Sequence, residues 1–338
     1  MKMRRGINVI FLPKEPITMC EGIEYIRQFP SPGNFEHSEE KWNNNFRDSF
    51  VVINCFSKDI YYPDHWTPFS VKCAFNGREH YCFNNRTYSV SEDSLLLLNE
   101  GNVYSSFIHS DTEVESLSLN YTKKNIATLE AAYTSFTDAL PDDPSHTATA
   151  HFGFCDKLYE YPRKFATHIN LFREQLRQPV VDKNILNELM YLSLGELVKL
   201  HRQTDIDIDR VNAKKRSTRA ELYNRLCVAK DYMYSCYREN ITLDQLGSVC
   251  LLNPAYLLRE FKKLFACTPH QYITSIRMQR ARMLLIHSHY TIAEIVTETG
   301  FLDNSSFTKL FKRTFSLPPH AYRMTFGAEK SQSISGPE

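Results

Sequence analysis

The sequence predicts an α+β chain: a β-rich N-terminal domain ending in a helical segment, then an all-α C-terminal domain of two helix-turn-helix units joined by a long helix. Three observations carry this expectation. Short β-prone runs separated by turn residues fill residues 50–121. Apolar residues three and four apart take over from about residue 151. One segment near the C-terminus occurs twice, as residues 243–272 and 292–322.

Length and charge set the frame. A chain of 338 residues accommodates two domains at about 150 residues each, both large enough to bury a core. Hydrophobic residues at 42% and charged residues at 23% are ordinary globular values, and 13% aromatics argue against a solvated tail. The net charge of +1 hides an asymmetry: residues 214–338 hold 18 Lys and Arg against 10 Asp and Glu, whereas residues 1–213 hold 22 against 29. Only the second half is built to approach a polyanion. Pro13 and Pro16 interrupt the opening MKMRRGINVIFLPKEP, so no secretory leader is expected. Leu95 to Leu98 falls far short of the roughly 20 apolar residues of a spanning helix, so no membrane partner is expected either. Nine cysteines without a C-x-x-C pair fit neither a disulfide framework nor a zinc ribbon, and reduced thiols in a cytoplasm are the simpler reading.

The β-prone runs are SFVVINCF, PFSVKCAFNG, HYCFNNRTYSV, SLLLLNEG and EVESLSLNY. Asn76-Gly77 and Asn84-Asn85 sit between runs rich in Val, Phe, Tyr and Cys, the signature of hairpins, and strands so closely spaced suggest a small antiparallel sandwich or barrel. From residue 151 to 202 the character changes. HINLFREQLR and NILNELMYLSLGELVKLHR place Ile185, Leu189, Leu192, Leu197 and Leu200 at helical spacing, which predicts amphipathic helices. DIDIDRVNAKKRSTR is polar and lacks a helical period, so the interdomain linker is expected there.

The repeat aligns in detail. Leu243 and Leu246 match Ile292 and Ile295 at a shift of 49; Phe261, Phe265 and Tyr272 match Phe311, Phe315 and Tyr322 at a shift of 50, so one extra residue falls in the turn. Asn253 stands where a helix N-cap belongs, with Pro254 at the first helical position. In the second copy Gly300 ends one helix and Asp303 or Asn304 caps the next, while Gly247 and Val296 fall where two helices must pack closely. Helix, short turn and helix on an apolar inner face is the helix-turn-helix pattern, whose second helix enters the major groove of double-stranded DNA. Arg259, Lys262 and Lys263 flank Phe261, and Lys309, Lys312 and Arg313 flank Phe311, placing cations where phosphates would be neutralised. Between the copies, Ile273, Ile276, Ala281, Leu284 and Leu285 stripe a connecting helix from which Arg277, Arg280 and Arg282 point elsewhere.

Over residues 220–326 the chain resembles the AraC/XylS regulators. The resemblance rests on R-x-x-x-A-R-x-L-L in the connecting helix, then TIAEIVTETGF, SSFTKLFKRTF and PPHAYRM. It implies a module that inserts two recognition helices into successive major-groove segments on one DNA face. By position, Ala255, Leu258 and Arg259 would face bases from the first recognition helix, and Asn304, Ser305, Thr308 and Lys309 from the second. Arg259 suits a guanine edge, Asn304 an adenine edge, and Leu258 or Ala255 a thymine methyl. Asn253, Lys262, Lys263, Ser306, Lys312 and Arg313 complete the expected DNA-binding set. Ala266 and Ser316 depart from the family, which usually closes each recognition helix with glycine, and a small shift of the helix end is expected there.

Residues 1–213 match the family in layout only, and the order of strands around SEDSLLLLNEGNVYS resembles the cupin-like sensor half of such regulators. The expected organisation is therefore a cupin-like sensor and dimerisation domain over 1–205, helical from about 151, a linker at 206–218, the double helix-turn-helix domain over 219–326 and a flexible tail at 327–338. The expected function is sequence-specific transcription regulation in response to a small-molecule effector, as a homodimer, with RNA polymerase as a further partner. The stripe of Ile185, Leu189, Leu192 and Leu197 is the candidate dimer interface, or else simply packs on the sheet.

Other readings have less to rest on. His80-Tyr81-Cys82 lacks the H-x-H and glutamate of metal cupins, so His65, His80 and His109 read as satisfied or surface histidines, and no metal or cofactor is expected. Trp66, Phe69, Phe75, Tyr81 and Phe83 could line a pocket but more often form ordinary core, and no ligand residue is named. There is no G-x-S-x-G elbow, Walker loop or dinucleotide glycine fingerprint, so an enzyme is not expected. The alternatives are a DNA-modifying or repair enzyme that uses the module for targeting, marked by a reactive thiol at Cys55, Cys73 or Cys82, and an architectural DNA-binding protein without a sensor pocket.

Overall fold

The computed structural model describes residues 22–28, 49–127, 131 and 153–327. The opening MKMRRGINVIFLPKEP and the tail at 328–338 lie outside the described residues. The chain is mixed α+β and divides into two compact units, residues 1–206 and 207–338.

The first unit is strand-rich. Its strands are β1 (Gly22–Ile26), β2 (Ser49–Trp66), β3 (Ser70–Phe75), β4 (Glu79–Phe83), β5 (Arg86–Val90), β6 (Ser94–Leu98), β7 (Val103–Asn120) and β8 (Leu158–Glu160). They pair in the order β1-β2-β7-β3-β6-β8, with β4 bonded to β5 and β7. Two long strands organise the sheet: β2 and β7 run antiparallel along most of their length, and β1 adds in parallel to the edge of β2. Asn84-Asn85 closes the β4–β5 hairpin, both residues at positive φ (51° and 57°), where asparagine is tolerated. Asn76-Gly77 does not close a hairpin, contrary to the sequence reading. β3 pairs with the C-terminal part of β7 (Glu115 to Asn120) and β4 with its N-terminal part (Ser105 to Phe107), so this turn carries the chain from one stretch of β7 to the other. A Cβ on Gly77 would lie 2.6 Å from the side chain of Val114, so the turn needs glycine for close approach.

Residues 163–177 form helix α1 (Arg163–Arg177) and residues 183–209 form α2 (Lys183–Asp209). Both cover one face of the sheet. Phe165, Ile169, Phe172 and Leu176 of α1 and Leu186, Leu189, Met190, Leu194 and Leu197 of α2 share a core with Val71, Cys73, Leu117 and Leu119. Phe69 and Phe75 belong to this core as well. Buried Glu115 on this face accepts hydrogen bonds from Arg173 (2.7 Å) and Arg177 (2.8 Å), tying α1 to β7. The expected stripe on α2 divides: Leu189 and Leu197 pack inward, while Ile185 (38% exposed) and Leu192 (47%) face solvent. The opposite sheet face, away from this core, is also buried, yet it carries Lys72, Glu79, Ser106, Ser116 and Ser118.

The stretch read as linker, 206–218, is helical at both ends: α2 continues to Asp209 and α3 (Arg216–Ser235) begins after the six residues 210–215. Ile208 is buried and anchors the last turn of α2, although the D-I-D-I-D pattern alternates with a period of two.

The second unit continues with α4 (Leu243–Cys250), α5 (Pro254–Phe265), α6 (Pro269–His287), α7 (Ile292–Glu298), α8 (Asn304–Phe315) and α9 (Pro319–Phe326). α4 and α7 both open with a reciprocal capping box, Thr242 with Gln245 and Thr291 with Glu294. Gly247 lets α4 approach the turn, since a Cβ there would sit 2.7 Å from the Leu252 carbonyl oxygen. The second turn uses Gly300 at φ 77°, against the backbone of Arg238; the first uses Leu251 at φ 54°, which an L side chain adopts at a cost. Two of the connecting arginines are braces: Arg277 bonds the carbonyls of Tyr237 (2.7 Å) and Glu239 (2.8 Å), and Arg280 the hydroxyl of Tyr234 (2.8 Å).

Candidate nucleic-acid interface

Each second helix of the two pairs is anchored by two fully buried side chains, Leu257 and Phe261 in α5, Phe307 and Phe311 in α8. Anchors four apart fix which way each helix faces. Ala255, Leu258, Arg259, Lys262 and Lys263 therefore lie on the exposed side of α5, and Asn304, Ser305, Ser306, Lys309, Lys312 and Arg313 on that of α8, with Thr308 half-buried. Leu258 sits at the flank, 38% exposed, and also lines an apolar hollow of about 320 Å³ with Leu243, Leu246 and Ile273.

The caps decide which side chains are free. Asn253 caps α5, its Oδ1 accepting from the backbone of Ala255 at 3.0 Å, so its acceptor is occupied while its amide N–H groups remain. In the second copy Asp303 is the cap, accepting from Ser306 at 2.7 Å, which leaves the Asn304 amide uncommitted by the cap. The backbone and hydroxyl of Ser306 and the amide of Ser305 hold the Asp303 carboxyl below the usual carboxylate range. Ala266 and Ser316 both adopt the left-handed conformation, at φ 57° and 64°. Non-glycine residues here take the backbone geometry that glycine takes freely.

The two copies match in their cations: Arg259, Lys262 and Lys263 correspond to Lys309, Lys312 and Arg313. They differ one residue away. Glu260, 5% exposed, accepts from Arg259 Nε at 2.8 Å and from Lys263 Nζ at 3.0 Å, whereas its counterpart is Leu310. Burial alone would raise the Glu260 carboxyl, but hydrogen bonds from Arg259 and Lys263 outweigh it and hold the group below its ordinary range. Sequence reading missed Glu260, because a glutamate between cations on a helix reads as surface; its sign was the register, one position from Phe261. The connecting helix α6 has 19 residues and so spans about 28 Å, close to the ~34 Å turn of B-DNA.

Burial pushes the Cys55 and Cys73 thiols up to about 12, and both are fully buried. Cys82 Sγ lies 3.3 Å from the Thr87 hydroxyl. The three histidines are scattered: His65 Nδ1 contacts the Pro63 carbonyl (2.8 Å), His80 Nδ1 the Ser89 hydroxyl (2.8 Å), and exposed His109 pairs with Asp59 (3.3 Å). Among the described residues, no helix is long and apolar enough to cross a membrane.

Residues 249–325 match the model of a helix-turn-helix domain family. The lactose operon transcription activator of Staphylococcus xylosus is 32% identical over 104 residues, 31% of this chain and 37% of that protein. The transcriptional activator RhaR of Shigella dysenteriae is 22% identical over 282 residues, 82% of this chain and 92% of that protein. The chain spans only 37% and 41% of the lengths of the first two relatives. Among solved structures, ToxT from Vibrio cholerae aligns over 82% of this chain and 98% of its own, at 16% identity and a TM-score of 0.32.

Proposed function

From the premise that the C-terminal region is a helix-turn-helix domain of the AraC/XylS type, we propose that the chain is a sequence-specific transcription regulator that binds double-stranded DNA through two helix-turn-helix units, α4–α5 and α7–α8. The observation that carries this reading is the matched pair of outward faces, each with cations at equivalent positions, on helices whose caps and anchors repeat. Ala255, Leu258, Arg259, Asn304, Ser305, Thr308 and Lys309 read bases; Asn253, Lys262, Lys263, Ser306, Lys312 and Arg313 hold the backbone.

The strand-rich unit is a cupin-like sensor for a small-molecule effector, and the chain is a cytoplasmic regulator rather than an enzyme. Two copies pair through the exposed line of Ile185, Leu192 and Ile206 on α2, so that two half-sites are read together and RNA polymerase is engaged alongside. An effector acts by binding one arrangement of the DNA modules more tightly than the other. Arg259→Ala tests the DNA reading. If Arg259 reads a guanine, binding weakens by about 1–3 kcal/mol with loss of preference at one base pair. Unchanged affinity and preference would remove α5 from the groove.

A further inference from the structure

The sheet face turned away from α1 and α2 has an unusual lining for a buried surface. Register places Lys72 opposite Ser118, Ala74 opposite Ser116, and Tyr81 opposite Ser106, which is itself opposite Tyr62. All of these side chains are buried, and so are Glu79 and Tyr104. Lys72 Nζ donates to Ser118 Oγ at 2.9 Å and lies 5.0 Å from the centre of the Tyr104 ring. The hydroxyls of Ser116, Tyr81 and Ser106 turn toward the Glu79 carboxyl, yet its Oε2 has no hydrogen-bond partner. Lys72 and Glu79 act on each other electrostatically, but no ion pair joins them among the described residues.

An isolated buried charge is costly, and a core of the same volume made from apolar residues is commonly at least as stable. Folding therefore gives no reason to keep a lysine and a glutamate in this face without a direct pair. Burial lowers the Lys72 ammonium to about 8 and raises the Glu79 carboxyl, the expected result of keeping both out of water. The protein already supplies hydroxyls to both groups. What each lacks is a charge of opposite sign in contact.

We propose that this face is a binding site for a small zwitterion of the amino-acid type, its carboxylate on Lys72 and its ammonium on Glu79. The inference rests on the effector-sensing reading of the strand-rich unit and names the chemistry of its ligand. A simple anion would pair Lys72 and leave Glu79 unpaired, a simple cation the reverse, and a neutral polyol would repeat what the serines provide. The rings of Tyr62, Tyr81 and Tyr104 add π faces that attract an ammonium group.

The test is calorimetry and thermal shift on the full chain with three panels at matched concentration: the proteinogenic amino acids, neutral sugars and polyols, and simple carboxylates and amines. Saturable binding of at least one amino acid is expected, without binding of simple carboxylates or amines. Lys72→Met and Glu79→Gln should each weaken it at least about 30-fold, and the milder Ser118→Ala about 3- to 10-fold. Binding by a sugar or polyol alone, amino-acid binding that survives both charge substitutions, or no amino-acid binding by the folded wild type would each overturn the proposal. Operator selection by the same chain is measured separately: success there with no zwitterion bound sinks the ligand assignment alone, and failure there sinks the regulator reading whatever binds this face.

Discussion

Replacing Glu260 with leucine, the residue of the second copy, should move specific and non-specific DNA binding in opposite directions. In the wild type Glu260 fixes Arg259 through Nε at 2.8 Å, which leaves the two terminal nitrogens of the guanidinium to form a fork toward a base. The same carboxylate holds Lys263 at 3.0 Å. Without it, Arg259 loses its orientation before binding, and ordering one such side chain costs about 0.5–1.5 kcal/mol, a loss of roughly 2- to 10-fold in discrimination at the base pair it reads. Removing one negative charge beside the groove also adds one net positive charge, which should steepen the dependence of log K on log salt by about 0.9. Affinity for unrelated sequence at low salt should therefore rise while the specificity ratio falls. Stability should change little, because leucine suits this position in the second copy and removing a buried charge offsets the lost hydrogen bonds. The assay is a pair of salt titrations, on the selected operator and on unrelated duplex. A parallel fall on both DNAs with an unchanged slope would show that Glu260 only supports the helix, and the positioning argument would be wrong.

Two further outcomes are expected. Ala266→Gly and Ser316→Gly should each stabilise the C-terminal unit by about 1 kcal/mol, because both residues hold a left-handed backbone conformation that glycine adopts freely, and should add within a few tenths of a kcal/mol in thermal unfolding. Burial lowers His65 from 6.5 to about 4. The unfolded chain therefore binds more protons between those values, so this contribution to stability is present above pH 6.5 and is lost as pH falls toward 4. In urea midpoints at pH 7.5 and 4.5, His65→Phe should lose less stability on acidification than wild type, and an equal loss in both proteins would refute the assignment.

The repeat was legible because its determinants are local: a cap, an aromatic anchor and flanking cations recur at nearly constant shift, and each acts within one or two turns of helix. Strand existence was legible for the same reason. Strand pairing was not. Asn76-Gly77 has the chemistry of a hairpin turn, but nothing local tells that β3 and β4 both pair with the distant strand β7 instead of with each other. β1 and β8 escaped notice because short edge strands show little alternation. The helical turns at the ends of the stretch expected as linker were not legible, because the acidic alternation of 205–209 masked a helix whose last turn includes buried Ile208. The bracing by Arg277 and Arg280 was not legible, because periodicity reports the face of a helix, not the carbonyls and hydroxyl a long side chain can reach on its neighbour. Lys72 and Glu79 were invisible for a related reason. In SVKCAF every residue is buried, so polarity alone could not tell which face would carry a charge inward.

The most direct test of the account is selection of a randomised duplex library by the full chain at fixed salt, followed by sequencing of the bound fraction. Two helix-turn-helix units joined by α6 predict two short motifs about one helical turn apart, with Arg259→Ala relaxing one position in one of them. Salt-dependent binding with no enriched sequence would contradict the account, since it would leave the cations of α5 and α8 as a non-specific DNA surface.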